Sequence, residues 1–126
     1  MTNETKKVFD LEERTARFGE NIIVFCKKIP RHEITKPIIS QLVRSGTSVG
    51  ANYCEADCAE SRKDFEYKLG ICKKEANETK YWLRMISKAE PALTKEAKTL
   101  WKESNELQLI FITIIKKSKI NQKEKI

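Results

Sequence analysis

The side chains that most often carry chemistry are few in this chain. It has one histidine, His32, and four cysteines, Cys26, Cys54, Cys58 and Cys72. The sequence contains no H-E-x-x-H motif, no G-x-S-x-G motif and no glycine-rich phosphate loop. Pairs of Glu-x-x-His, which hold two iron atoms in some helical bundles, need more histidines than this chain has. We therefore expect a protein that is not an enzyme and that holds no cofactor or metal.

One cysteine pair leaves an alternative open. Cys54 and Cys58 are four residues apart, so on a helix they share one face. A metal or redox role for this pair is the alternative, but the paired C-x-x-C spacing of a zinc site is missing. Small thiols in a reducing compartment are the better interpretation. His32 has no clustered partner in the sequence, and we expect it on the surface.

A wedge of polar side chains on the second predicted helix is the first candidate site. Its members fall within about 80° of one another on a helical wheel, and they are Gln41, Arg44, Ser48, Asn52 and Glu55. Glu75 and Glu78 of the next helix are natural partners for Arg44, since carboxylates pair with guanidinium groups. The wedge could be no more than a solvated flank. We favour a hydrogen-bonded seam, at a subunit interface or facing a ligand.

Basic faces on the third and fourth predicted helices are the second candidate site. The third helix contributes Arg62, Lys73, Lys80, Arg84 and Lys88, and the fourth contributes Lys95, Lys98, Lys102 and Lys116. Such faces often serve solvation only. Repeated around an oligomer, they could follow a phosphate backbone with strong salt dependence and little sequence readout. We expect no aromatic stacking platform beside them. The net charge of +7 is a weaker signal, because residues 116–126 supply four of the seven charges.

Heptad spacing of apolar residues predicts the helices that must position these side chains. The chain of 126 residues suits one domain. Ser61 and Asp64 form a capping box, and Gly46 lies where two backbones could approach closely. The predicted parts are a disordered N-terminus at 1–7, helices at about 8–29, 35–58, 62–89 and 92–117, and a basic tail at 118–126. Thr35 is the expected N-cap of the second helix. We predict an all-α, antiparallel up-down-up-down bundle over residues 8–117.

Surplus apolar residues predict that the bundle assembles with copies of itself. The third helix carries a second stripe, and the end of the fourth is apolar nearly all round: Tyr67, Ile71, Trp82, Met85, Leu109, Ile110, Ile112 and Ile115. Burial between subunits in a homo-oligomer is the simplest use of such a surplus. The apolar run at 109–115 is too short to span a membrane, and the N-terminal sequence is charged. We expect a cytoplasmic protein with no membrane partner.

Three segments resemble a known family, the four-helix-bundle proteins encoded by intervening sequences in bacterial 23S rRNA genes. The segments are QLVRSGTSVGANYCEA, ESRKDF and LGICKKEANETKYWL, and their most specific residues are Gln41, Arg44, Ser48, Asn52, Glu55, Ser61, Asp64 and Phe65. The family commonly has glycine at the position of Ala56 and arginine near Ala59 or Glu60, so this chain departs from it at the turn. The resemblance implies a homopentameric ring. It also implies kinship to the accessory protein of diversity-generating retroelements, a basic barrel that binds its reverse transcriptase and nucleic acid.

Two functions follow as hypotheses. The first is a non-enzymatic oligomer that binds the RNA or DNA backbone through its lysine-rich faces. The second is a protein-interaction scaffold whose ring docks a partner such as a reverse transcriptase.

Overall fold

The computed structural model describes residues 10–124, which form four α-helices and no β-strand. The helices are α1 (Leu11–Lys27), α2 (Thr35–Asp57), α3 (Arg62–Ala89) and α4 (Thr94–Glu124), with a 3-10 turn at Pro91–Leu93. The predicted all-α class is confirmed. The start of the first predicted helix and the N-terminus at 1–7 lie outside the described residues. Between residues 10 and 124, every helix falls short of the apolar length that a bilayer crossing requires.

The predicted heptad stripes form the hydrophobic core. α1 buries Phe18 and Ile22 to 1% exposure or less, and α2 buries Leu42 and Val49 completely. α3 and α4 add a further set of fully or almost fully buried side chains: Leu69, Cys72, Ala76, Thr79, Leu83, Ile86, Ala97, Ser104, Leu107 and Phe111. Removing this apolar surface from water is the main force that holds the helices together.

α1 and α2 approach each other most closely at glycine. A Cβ atom on Gly46 would lie 2.9 Å from both Cγ atoms of Ile22, and one on Gly50 would lie 3.2 Å from the backbone of Thr15. The contact at Gly46 is shorter than Cβ atoms show, so a larger residue there would force Ile22 or the helix to shift, and the contact at Gly50 is tight. Gly46 therefore lies at a close helix–helix contact, as its place in the stripe predicts.

α3 meets its two neighbours through small side chains. The Ser104 hydroxyl of α4 donates to the Ala76 carbonyl at 2.7 Å, and the Thr79 and Ser45 hydroxyls are hydrogen-bonded at 2.9 Å. All four residues are fully buried. Because each buried hydroxyl has a partner, these polar atoms can lie in the core without an unpaired donor.

The helix starts agree with the predicted caps in one case and differ in the other. Ser61 caps α3 as predicted, since its Oγ accepts from the backbone N–H of Asp64 at 3.0 Å. Thr35, the predicted N-cap of α2, is instead its first helical residue. Its hydroxyl donates to the Pro30 carbonyl at 2.7 Å and accepts from the N–H of His32 at 3.0 Å. Thr35 therefore holds the link between α1 and α2 in place through these two hydrogen bonds.

The ends of α1 and α4 also differ from the predicted ones. α1 ends at Lys27 rather than near Ile29, although Ile29 stays buried at 3% exposure. α4 begins at Thr94 and continues to Glu124, so residues 118–124, predicted as a basic tail, are helical. No proline or glycine follows Lys117 to stop the helix. The Ser118 hydroxyl also donates to Glu66 of α3 at 2.5 Å, which ties this extension to the bundle.

Two glycine-to-alanine substitutions should change stability in opposite directions. Gly46→Ala should lower the free energy of unfolding by about 1–2 kcal/mol, because overpacking against buried Ile22 exceeds the gain in helix propensity. Gly70→Ala, where an added Cβ meets no atom within 4 Å, should raise it by about 0.5–1 kcal/mol. Urea unfolding monitored by circular dichroism measures both. Stabilisation by Gly46→Ala would show that this contact is not tight.

Candidate nucleic-acid interface and polar seam

Arg44 is the centre of a polar seam between α2 and α3. Its Nη1 donates to Glu75 Oε2 at 2.8 Å, its Nη2 forms an ion pair with Glu78, and its Nε donates to Gln41 Oε1 at 2.9 Å. The predicted pairing of Arg44 with both glutamates is therefore present, and it lies within one chain. A guanidinium group can make these bonds together because its donors form a rigid planar fork.

The position of Glu75 explains why the seam matters to the fold. Glu75 is only 7% exposed, and a buried carboxylate without a partner is costly. Glu78 has a second partner besides Arg44, because its Oε2 accepts a hydrogen bond from the indole N–H of Trp82 at 3.0 Å. Arg44 itself is about half exposed, so water weakens its attraction to the two carboxylates.

The remaining wedge residues do not join this side-chain network. The Ser48 hydroxyl donates to the Arg44 carbonyl at 2.6 Å, and the Asn52 amide donates to the Ser48 carbonyl at 2.9 Å. These bonds follow from the spacing of four residues, which places a polar side chain beside the carbonyl one turn earlier. Glu55 forms an ion pair with α3 instead, since its Oε1 lies 3.5 Å from Lys68 Nζ. The seam therefore reduces to Gln41, Arg44, Glu75 and Glu78.

Three of the predicted basic residues lie together at one groove between α3 and α4. Arg84, Lys98 and Lys102 line this groove, which has a volume of about 390 Å³. We call it the Trp101 groove, because Trp101 lines it together with Leu83 and Ala97. Leu83 and Ala97 are 1% exposed, whereas Trp101 is 40% exposed. The lining of the groove is thus almost entirely apolar, and Arg84, Lys98 and Lys102 border it mainly with the apolar parts of their side chains.

Lys80 adjoins the Trp101 groove from α3. Its Nζ donates to Asn105 Oδ1 at 2.9 Å and lies 5.0 Å from the centre of the Trp101 ring. This distance is within the range of a cation–π contact. An aromatic side chain therefore lies beside the basic residues, where the sequence pattern predicts no aromatic stacking platform. The signal was present in the sequence, since Trp101 lies between Lys98 and Lys102 and one turn from Lys98.

The other basic candidates are spread along the bundle. Arg62 lies in a separate depression at the α2–α3 turn, beside Lys117 of α4. Four more are exposed and line neither the Trp101 groove nor that depression: Lys73, Lys88, Lys95 and Lys116. The nine candidates therefore do not all line one groove of a single chain.

The four cysteines differ in burial, and the histidine is on the surface. Burial raises the pKa of the Cys26 thiol to about 11 and that of Cys72 to about 12, so both thiols stay protonated and unreactive. Cys54 and Cys58 are exposed. Within residues 10–124, no three side chains of His, Cys, Asp or Glu are grouped as metal ligands. His32 is on the surface as predicted, with Nε2 3.0 Å from Glu90 Oε1.

Substituting Arg44 should test the seam. Arg44→Ala leaves Glu75 buried without its cation, so the free energy of unfolding should fall by about 2 kcal/mol. Adding Glu75→Gln should recover part of this loss, because the unpaired charge is removed. Lys28→Ala, which breaks the exposed pair with Glu96, is the control and should cost less than about 0.5 kcal/mol. If Arg44→Ala and Lys28→Ala lowered the free energy of unfolding equally, the burial of Glu75 would not be what makes the Arg44 pair important. Light scattering on the same samples tests whether the seam also supports assembly.

The comparisons with known proteins agree with this architecture. The crystal structure of a protein of unknown function from the S23 ribosomal protein family of Bacteroides thetaiotaomicron VPI-5482 is 36% identical to this chain, with a TM-score of 0.76. The similarity covers 83% of this chain and 94% of that one. No curated protein is significantly similar. The model of the family described as 23S rRNA-intervening sequence protein matches residues 7–113. The chain therefore belongs to the 23S rRNA-intervening sequence protein family.

Proposed function

We propose that the protein is a non-enzymatic, cytoplasmic nucleic-acid-associated protein that binds the RNA or DNA backbone through cations on α3 and α4. The observation that carries this proposal is the Trp101 groove with Arg84, Lys98 and Lys102. Phosphate groups are the ligands that such cations bind without reading sequence. Binding should therefore be strong at low salt and weak at high salt.

The pairing of charges elsewhere in the chain supports this proposal. Arg14 binds Glu103 with two hydrogen bonds of 2.8 Å and also contacts Glu106. Among the ion pairs of residues 10–124, none involves Arg84, Lys98 or Lys102. The three groove cations thus have no carboxylate partner among these residues and can bind an external anion, as can other exposed cations such as Lys27 and Lys36.

The proposal includes an up-down-up-down arrangement of the helices and a homopentameric ring. Two contacts between α1 and α2 support an antiparallel arrangement of these helices. Thr15, near the start of α1, lies close to Gly50 in the second half of α2, and Ile22, further along α1, lies close to the earlier α2 residue Gly46. Exposed apolar side chains support the ring, since Tyr67 is 66% and Leu109 is 54% exposed. Their burial between subunits would remove apolar surface from water. A ring would also repeat the Trp101 groove, so that one nucleic acid could contact several copies.

The second candidate is a scaffold that docks a protein such as a reverse transcriptase. Ile23 and Val24 of α1 are 43% and 54% exposed, on a helix outside the basic faces. Adjacent exposed apolar residues of this kind suit a protein partner. In this case nucleic-acid contact would be incidental, and removing the groove cations would leave the function intact.

Nucleic-acid binding should depend on the three groove cations. We expect Arg84→Gln/Lys98→Gln/Lys102→Gln to weaken binding of a structured RNA and a duplex DNA. The plot of log K against log salt concentration has a negative slope, and its magnitude should decrease by about 2–3, close to 0.9 for each lost phosphate contact. Fluorescence anisotropy at about 50 and 200 mM salt measures both quantities.

The control removes the same charge from another face. Lys27→Gln/Arg31→Gln/Lys36→Gln alters three exposed cations near the α1–α2 link and should change the slope much less. Equal effects of the two triple variants would show that net charge, rather than the groove, determines binding. Absent binding by the wild-type protein at low salt would favour the scaffold.

Assembly should depend on the exposed apolar residues. Leu109→Glu should reduce the mass in solution from about five times the 14.6 kDa chain toward that of one chain, because a charge would be buried at the interface. Ile34→Glu, at a residue 65% exposed in the α1–α2 link, should leave the mass unchanged. Light scattering coupled to size exclusion measures this, and a wild-type monomer would rule out the ring.

A further inference from the structure

We propose that the Trp101 groove binds an unpaired nucleotide, with the base stacked on the indole and the flanking phosphates on Arg84, Lys98 and Lys102. This inference rests on the proposed function and adds to it the part of the nucleic acid that is recognised. It predicts that single-stranded RNA or DNA binds through bases as well as through phosphates.

The apolar lining of the groove is suited to contact with a flat, apolar ligand. Trp101 is 40% exposed, whereas Leu83 and Ala97, which line the same groove, are almost completely buried. A tryptophan ring that lines a groove and stays partly in water gains free energy when an apolar surface covers it. A base can do this, and stacking of a base on an aromatic side chain tolerates any sequence.

Lys80 prepares the ring for stacking. Its ammonium group lies 5.0 Å from the centre of the Trp101 ring and is held there by Asn105 at 2.9 Å. This contact restrains the indole before a ligand arrives, so less conformational entropy is lost on binding. A stacked base would take the ring face that Lys80 does not cover.

The rim of the groove is complementary to phosphate. Arg84 projects from α3, and Lys98 and Lys102 project from α4. All three are exposed, and no ion pair joins them to another residue within 10–124. Cations on the two helices that border the groove match a nucleotide, whose base lies between two backbone phosphates. Paired bases in a duplex are already stacked, so the groove should favour single strands.

The experiment compares two strands that differ only in their bases. One probe is a fluorescently labelled ten-nucleotide oligothymidylate, with oligouridylate in parallel, and the other is an abasic strand of the same length and charge. Wild-type protein should bind the strands with bases about tenfold more tightly than the abasic strand. Trp101→Ala should remove this difference, because it weakens binding of the strands with bases far more than binding of the abasic strand. Trp101→Phe should retain most of the difference.

Tyr81→Ala is the matched control, because Tyr81 is an exposed aromatic residue of α3, at 54%, that does not line the groove. It should leave the preference for bases intact. Equal wild-type affinity for the two kinds of strand would overturn the inference, while the proposed phosphate binding would stand. Binding of neither strand, nor of structured RNA, would overturn both. Tighter, Trp101-dependent binding of an acidic peptide carrying phenylalanine would assign the groove to a protein partner and overturn the inference.

Discussion

The close packing of α3 against both neighbours is the constraint on which the rest of the structure depends. Cys72, Ala76 and Thr79 occupy successive core positions of α3, and all three are fully buried. Because these side chains are small, the Ser104 hydroxyl can reach the Ala76 carbonyl and Ser45 can reach Thr79. Larger residues would separate the helices, and both the seam and the Trp101 groove would lose their geometry.

This packing places opposite charges on the two sides of α3. Glu75 and Glu78 face α2, where Arg44 pairs with them. Lys80 and Arg84 face α4, where Lys80 contacts Trp101 and Arg84 lines the groove. The acidic side is thus partly neutralised inside the chain, where Arg44 supplies the buried Glu75 carboxylate with the cation it needs. The basic side carries exposed charge that the fold does not require, which is why we assign function to it.

The heptad pattern allowed most of the fold to be predicted. The stripes through Phe18, Leu42, Leu69 and Leu107 are buried in the core, and Ser61 caps α3. The bounds of the helices were less predictable where local signals compete. Thr35 has the type of an N-cap, yet its hydroxyl bonds the Pro30 carbonyl across the link. No local signal indicated that Ser118 would meet Glu66, a residue 52 positions away.

The sequence by itself determined the helices, their buried faces and the partners of Arg44, because these follow from residue type and a period of 3.6. Only the tertiary structure decided which basic residues lie together at one groove. Arg84 and Lys98 lie 14 positions apart in the sequence, on helices whose relative rotation and separation are set by core packing. The same packing left Trp101 at 40% exposure in the groove between them. Helical periodicity describes one helix at a time, so a groove shared by α3 and α4 emerges only when their side chains meet.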